Sequence, residues 1–217
     1  MNALIWAGGD YRGDAPLPVD YWPLPADSGW GLVVAADSGA RHALRVGSPL
    51  DLLLGDFDSL APALRERLSA VPQRTYPTDK NYTDAELAVR VCRERGADHL
   101  LLAGGLGTRF DQSLAAVQML IKLAVVGVQG CATDGRQRIY GLLKGSITLP
   151  SAPGEIVSLL PQAHSVEGVR TEGLRWPLAG DALHLGESRS VSNEATGDRV
   201  TITAGGPLLI AVSAAES

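Results

Sequence analysis

The sequence predicts two architectures in one chain: an N-terminal α/β part, an open and mainly parallel sheet flanked by helices, followed by a small C-terminal all-β sandwich. Three observations predict this. Through the first two thirds of the chain, short apolar runs alternate with segments of helical period, the rhythm of βαβ units. After about Asp134 the helical period disappears, and alternating runs are punctuated by Pro153-Gly154, Gly180-Asp181, Gly197-Asp198 and Gly205-Gly206-Pro207, an all-β signature. Size is the third: 217 residues, 45% hydrophobic and 20% charged, provide core for one large or two small domains and exclude a disordered or low-complexity chain. The division between the parts is expected at 1–136 and 137–217.

Taken in order, strands are expected at 3–7, 32–36, 52–54, 100–103 and 128–133, each a short apolar run bounded by turn residues. Helices are expected between them. Residues 38–46 are closed by Gly47, and 61–70 form a second helix. Residues 83–95 carry the clearest signals: Thr83 and Glu86 have the spacing of a capping box, Leu87 and Val91 recur on one face, and Gly96 follows an arginine-rich last turn as a left-handed terminator. Residues 111–123 complete the set. In the second part, 146–149, 155–160, 174–176, 182–185, 199–203 and 208–212 read as strands of a sandwich or barrel.

Composition narrows the partners. The net charge is −5, lysine occurs only at positions 80, 122 and 144, and the arginines are scattered, so no phosphate-tracking nucleic-acid surface is indicated. Cys92 and Cys131 sit in apolar stretches without metal-ligand spacing and read as core residues of a reducing compartment. No stretch approaches the roughly 18 apolar residues of a spanning helix, and residues 1–6 lack the basic start of a leader. The expectation is a cytoplasmic protein with a small-molecule partner and no membrane or nucleic-acid contact.

In an open α/β sheet, ligands bind at the carboxyl ends of the strands. The residues found there are repeatedly aspartate: Asp37 after 32–36, Asp56 and Asp58 after 52–54, and Asp79 and Asp84 leading into the third helix. Beyond 100–103 come Gly104-Gly105, Arg109 and Asp111. Carboxylates converging on one sheet edge repel one another unless a cation sits among them, and hard divalent cations take oxygen ligands, which makes Mg²⁺ the natural occupant. Neither a Walker A loop nor a G-x-G-x-x-G fingerprint occurs.

Six blocks in order resemble the thiamine pyrophosphokinase (thiamine diphosphokinase) family. Ala36-Asp37-Ser38-Gly39-Ala40 is similar to its Ala-Asp-Gly-Gly-Ala block, and Gly55-Asp56-Phe57-Asp58-Ser59 matches its Gly-Asp-hydrophobic-Asp-Ser motif at every position. Asp79-Lys80-Asn81-Tyr82-Thr83-Asp84 resembles its Asp-Lys-Asp/Asn-x-Thr-Asp block, and Arg109-Phe110-Asp111-Gln112 its Arg-x-Asp-His/Gln block, with Thr108 where a glycine is usual. In the β part, Gly173-Leu174-Arg175-Trp176-Pro177-Leu178 and Ser190-Val191-Ser192-Asn193 resemble the Gly-Leu-x-aromatic-x-Leu and Ser-x-Ser-Asn elements. One departure stands out: family members often carry, shortly after Ser-x-Ser-Asn, an aromatic residue that stacks on the thiamine pyrimidine, and this chain has Glu194-Ala195-Thr196.

The resemblance implies transfer of a diphosphoryl group from ATP to the hydroxyl of thiamine, giving thiamine diphosphate and AMP, in a homodimer whose thiamine sites are shared between subunits. It implies Mg²⁺ held by Asp37, Asp56, Asp58 and Asp84, ATP held by Asp37, Gly39, Arg109, Asp111 and Gln112, and thiamine held by Lys80, Thr83, Ser190, Ser192 and Asn193. Asp56, Asp58, Asp84 and Arg109 would carry the chemistry, with Arg109 as phosphate clamp through its guanidinium fork. Either Asp84 or Asp56 could accept the hydroxyl proton. Two other readings stay open at this point: a diphosphokinase of the same fold acting on another hydroxymethyl heterocycle such as a pterin, and a noncatalytic nucleotide or thiamine sensor.

Overall fold

The computed structural model describes residues 1–13, 29–58, 60–77, 79, 81–107 and 109–214. Two sheets organise it. The larger has ten strands in the order β12-β9-β14-β7-β6-β5-β1-β2-β3-β4, and the smaller is antiparallel in the order β11-β10-β13-β8. In chain order the first six strands are β1 (Asn2–Trp6), β2 (Leu32–Ala36), β3 (Leu52–Gly55), β4 (Gln73–Thr75), β5 (His99–Ala103) and β6 (Gln129–Thr133). The remainder are β7 (Gln137–Leu142), β8 (Gly145–Pro150), β9 (Ile156–Pro161), β10 (Ser165–Glu172), β11 (Ala179–His184), β12 (Asn193–Glu194), β13 (Arg199–Ala204) and β14 (Leu208–Ser213). Strands β1 to β6 pair in parallel, and β1 and β2 are buried on both faces, which explains their unbroken apolar sequence.

Four helices accompany the parallel strands: α1 (Ala40–Val46), α2 (Pro62–Arg67), α3 (Asp84–Glu94) and α4 (Phe110–Val125). A single 3-10 turn over Asp37–Gly39 leads into α1, and Gly47 closes it at φ 69°. Thr83 caps α3, its hydroxyl accepting from the Glu86 amide at 3.2 Å. Leu87, Ala88, Val91 and Cys92 of α3, with Ala116, Leu120 and Leu123 of α4, cover one face of the large sheet. On the other face, Ala40, Ala43 and Val46 of α1 and Leu60 and Leu68 flanking α2 pack against Leu4 and Trp6. That same core continues without a break into the sandwich, through Cys131 and Tyr140 to Val157, Ile202 and Ile210.

The sandwich is therefore assembled differently from the simplest expectation. One of its layers is the continuation of the parallel sheet, because β6 pairs antiparallel with β7 and β7 with β14. Only the four-stranded layer is a separate sheet. Residues 174–176, expected as a strand, make only an isolated bridge from Leu174 to Ala195, and the chain bends at 175 and 176 instead of continuing a ladder. Strands β4, β7 and β10 lie in stretches assigned no element from sequence: β4 is three exposed residues, and β10 is broken by register shifts between Val166 and Arg170 that blur its alternation.

Candidate active site

The carboxyl ends of β1, β2, β3 and β5 open into a cleft of ≈ 890 Å³ floored by Gly8, Gly9, Asp37, Asp56 and Gly104 to Gly107 and walled by α3 and α4. Its acidic centre is built by local backbone geometry. Asp37 follows β2 directly and sits in the left-handed region at φ 46°, while Phe57 does the same at φ 63° between Asp56 and Asp58. Left-handed conformations of such residues cost of order 1–3 kcal/mol and persist only where surrounding structure fixes them. Burial of the Phe57 ring in the core and an Arg65 guanidinium donating to its carbonyl supply that fixing. Gly55 completes the arrangement: at φ 145° its α-carbon faces Asp37, and a β-carbon there would lie 2.9 Å from the Asp37 β-carbon. The two motifs that were separate in sequence thus meet through a glycine, and one carboxylate oxygen each from Asp37, Asp56 and Asp58 falls within 4.8 Å of the others.

The other expected residues divide. Asp84, the first residue of α3, lines the cleft but stands outside that three-carboxylate group. Thr83 and Gln112 also line the cleft, with the Thr83 hydroxyl engaged in capping. Gly39 is buried and does not line it; a β-carbon there would lie 2.1 Å from the Trp6 carbonyl oxygen, so its role is to let the turn sit against β1. Arg109, on the lip, is forked onto Asp111 at 2.6 and 3.2 Å, a contact that raises the Arg109 pKa and lowers that of Asp111. Both are exposed, so the pair is held weakly and can be exchanged for an anion. Lys80, with Ser59 and Thr108 of the quoted motifs, lies outside the described residues.

Ser190, Ser192 and Asn193 are elsewhere. They line a second pocket of ≈ 410 Å³ in the sandwich, together with Leu159, Trp176 to Leu178, Arg189 and Val191. Ser190 Oγ donates to the Leu159 carbonyl at 2.6 Å and is buried, and Ser192 has φ 61° with its amide donating to Ser158 Oγ at 3.0 Å. Asn193 is tied to the neighbouring segment: its Oδ1 accepts from the Trp176 and Glu194 amides at 3.1 and 2.9 Å, and its Nδ2 donates to the Trp176 carbonyl at 2.7 Å. The two pockets are far apart in one chain. Strands β9 and β2 are separated by six hydrogen-bonded steps, roughly 29 Å along the sheet at about 4.8 Å per step.

Sequence reasoning gave several lining residues no part in the site. Tyr82, Glu86 and Lys122 line the cleft, with Glu86 bonded to Lys122 at 3.1 Å and the Arg90 guanidinium 3.7 Å from the Tyr82 ring centroid. Glu86 and Arg90 have the i,i+4 spacing of a helical ion pair, at 3.9 Å, whereas Lys122 joins them only because α4 packs beside α3. Trp176, read in sequence only as the aromatic of the Gly-Leu-x-aromatic-x-Leu block and as part of an expected strand, lines the sandwich pocket and is 56% exposed.

Comparison with known proteins agrees with this layout. Residues 28–129 match the family profile described as thiamin pyrophosphokinase, catalytic domain, and residues 146–209 the one described as thiamin pyrophosphokinase, vitamin B1 binding domain. The chain is similar to thiamine pyrophosphokinase of Bacillus subtilis (strain 168), 25% identical over 184 residues, covering 83% of this chain and 86% of the relative. It is also similar to thiamin pyrophosphokinase 1 of Caenorhabditis elegans, 23% identical over 191 residues, covering 82% and 77%. Among solved structures, thiamine pyrophosphokinase from Bacillus subtilis superposes with a TM-score of 0.82 at 23% identity over 100% of both chains. That from Candida albicans gives 0.78 at 14% identity over 98% of this chain and 88% of the other; these likenesses show a shared fold.

Proposed function

Because the chain belongs to the thiamin pyrophosphokinase family, we propose that its cleft and its sandwich pocket serve one reaction, transfer of a diphosphoryl group from ATP to the hydroxyl of thiamine. The observation that carries this reading is the three-carboxylate group Asp37, Asp56 and Asp58, with oxygens within 4.8 Å, of which Asp37 and Asp56 line the cleft and Asp58 stands exposed beside them. An all-oxygen, all-carboxylate donor set fits a hard divalent cation, and Mg²⁺ in particular keeps waters and phosphate oxygens alongside one or two carboxylates. When bound there, the cation would neutralise charge developing on the transferring phosphoryl oxygens.

The chain's own residues do the positioning. Arg109 exchanges Asp111 for phosphate oxygens, for which its fork is suited. Asp84, on the cleft wall and outside the three-carboxylate group, is the candidate to accept the proton of the attacking hydroxyl as it approaches the β-phosphorus, with AMP leaving. The carboxylates also draw in the fixed positive charge of thiamine. The division into 1–136 for ATP and Mg²⁺ and 137–217 for thiamine follows from the same reading.

The spacing of the pockets supports a homodimer with shared sites. At roughly 29 Å along one sheet, a vitamin-sized substrate cannot span both pockets of one chain. A twofold axis can bring the cleft of one subunit to the sandwich pocket of the other. The test is AMP release with ATP and Mg²⁺ across a panel of alcohols. Thiamine-dependent release is the expected result; release with a hydroxymethylpterin and none with thiamine would overturn the reading.

A further inference from the structure

Helix α1 turns a basic edge toward the loops that floor the cleft, and no step of the proposed reaction uses it. Arg41 is exposed, yet its Nη2 donates inward, to the Gly8 carbonyl at 2.8 Å and to the Gly9 carbonyl at 3.1 Å. His42 is buried, and its Nε2 lies 2.7 Å from the same Gly9 oxygen. A carbonyl only accepts, so Nε2 carries the proton and donates there. Each of these carbonyls shares a trans peptide plane with the next amide, which points the opposite way. Those amides are taken up by the second loop: Gly9 N–H donates to the Gly104 carbonyl at 2.8 Å and Asp10 N–H to the Leu106 carbonyl at 2.7 Å. Residues 8–10 therefore form a strip fixed along both edges, by α1 on one and by residues 104–106 on the other. The layers leave no slack. A β-carbon at Gly9 would lie 2.5 Å from the Gly104 carbonyl oxygen, one at Gly104 2.6 Å from the Ala7 carbonyl oxygen, and one at Gly107 2.6 Å from the Asp10 nitrogen.

From this strip the contacts lead to the phosphate clamp. The Gly107 amide donates to Ser113 Oγ at 3.0 Å, and Ser113 Oγ donates to the Arg109 carbonyl at 3.0 Å, so the second loop and the start of α4 share one hydroxyl. We propose that Arg41 and His42 are positioning residues for ATP: by pinning the Gly8 and Gly9 carbonyls they fix the cleft floor and, through residues 104–107, the place from which Arg109 reaches the phosphates. This rests on the diphosphoryl-transfer reading above and adds to it two residues that do not line the cleft. Two donors on one carbonyl oxygen set the plane of the Gly9 peptide, and the interlocked glycines pass any tilt of that plane to the second loop. Outer hydrogen bonds of this kind commonly govern affinity or turnover by about 10- to 100-fold.

The test compares the full chain with Arg41→Ala, Arg41→Lys, His42→Ala and His42→Gln in two measurements. One is steady-state AMP release with ATP or thiamine varied at saturating Mg²⁺. The other is calorimetric titration with α,β-methylene-ATP and Mg²⁺ without thiamine; this analogue has carbon in place of the bridging oxygen whose bond the reaction breaks, so it reports binding alone. Arg41→Ala and His42→Ala are expected to lower kcat/KM for ATP about 10- to 100-fold and to weaken analogue binding, with thiamine KM within about twofold of the parent. Arg41→Lys and His42→Gln each keep a donor toward the glycine carbonyls and should recover most of the loss. The double alanine variant should cost less than the product of the two single losses, because both side chains act on the Gly9 oxygen. If His42→Ala folds poorly because His42 is buried, Arg41→Ala decides the question, since Arg41 is at the surface. A parent-like kcat/KM for ATP in Arg41→Ala overturns the proposal. So does a loss that falls equally on ATP and thiamine, tracks the melting temperature and is not recovered by lysine. A parent chain that binds the analogue but releases no AMP with thiamine overturns the underlying reading instead, and analogue binding by the variants then decides the proposal.

Discussion

Asp56 makes the usual turn contact, its Oδ1 accepting from the Asp58 amide at 3.2 Å, but a left-handed Phe57 also sets its carboxylate beside that of Asp58, with Asp37 brought in by the space at Gly55. Like charges at that separation oppose folding, so removing one is expected to leave stability unchanged or raised while activity falls. Asp56→Asn or Asp58→Asn should lower kcat at least about 100-fold, with a melting temperature no lower than the parent's. Measuring both on the same preparation checks this; near-normal turnover at saturating Mg²⁺ would remove the two residues from the mechanism. His42 gives a second expectation at this scale. Its Nε2–H donates to the Gly9 carbonyl at 2.7 Å, behind the loop that floors the cleft. Burial holds its pKa below the ordinary 6.5; the Gly9 bond and Asp10 oppose this, while Arg41 and Arg45 reinforce it. Below about 6.5 the unfolded chain binds a proton that the folded chain does not, so this contribution to stability is present above that pH and is lost as pH falls toward the folded value. Melting curves between pH 5 and 7.5 should therefore fall more steeply with acid for the parent chain than for His42→Gln.

Helix α3 shows how one element serves both fold and site. Its N-terminus carries Thr83 as cap and Asp84 and Glu86 in the first turn, where acidic groups are favoured by the helix dipole. Its apolar stripe, Leu87, Ala88, Val91 and Cys92, fixes the helix against the sheet so that the first turn overhangs the cleft. Thr83→Ala should cost about 1 kcal/mol, since the Glu86 amide loses its partner. For a chain of this size that is a fall in melting temperature of about 2–4 °C, measurable by calorimetry. The 173–178 segment is the counterpart in the sandwich. It belongs to no ladder beyond the Leu174 to Ala195 bridge, and hydrogen bonds from Asn193 and Thr171 hold it in place.

For the whole molecule, the continuous ten-stranded sheet is the mechanical link between the two pockets, since α4 packs across β6, β7 and β14, where parallel pairing gives way to antiparallel. A rigid sheet keeps them apart, which is why the proposed shared site requires a second copy. If Asp56 of one subunit works with the sandwich pocket of the other, which Asn193 lines, Asp56→Asn and Asn193→Ala homodimers are each impaired. A mixed dimer then collects both lesions in one site and leaves the other as in the parent. After joint unfolding and refolding of equal amounts, about half the dimers are mixed, so about one quarter of all sites regain full function. Activity well above the mean of the separately refolded variants is the expected result. Its absence, with mixed dimers verified by mass spectrometry, would confine the site to one subunit.

The parallel strands β1, β2, β3, β5 and β6, the four helices and the carboxylates at the strand ends were legible in the sequence because each rests on local signals: apolar runs, 3.6-residue periodicity, the Thr83 and Glu86 cap, and glycine terminators. Strand β4 was not, being too short and exposed to carry a pattern, nor was β7, which follows β6 through a short turn but whose partly buried residues show no clean alternation. What brought Asp37 within reach of Asp56 and Asp58 is a sheet neighbour relation, β2 beside β3, together with the missing β-carbon at Gly55. No pattern along the chain encodes that distance. The same holds for Asn193, whose bonds to the Trp176 backbone join two segments that sequence order keeps apart. Local interactions are written in residue order, whereas which polar group remains available to a ligand depends on every group that folding brings beside it; that count exists only in three dimensions.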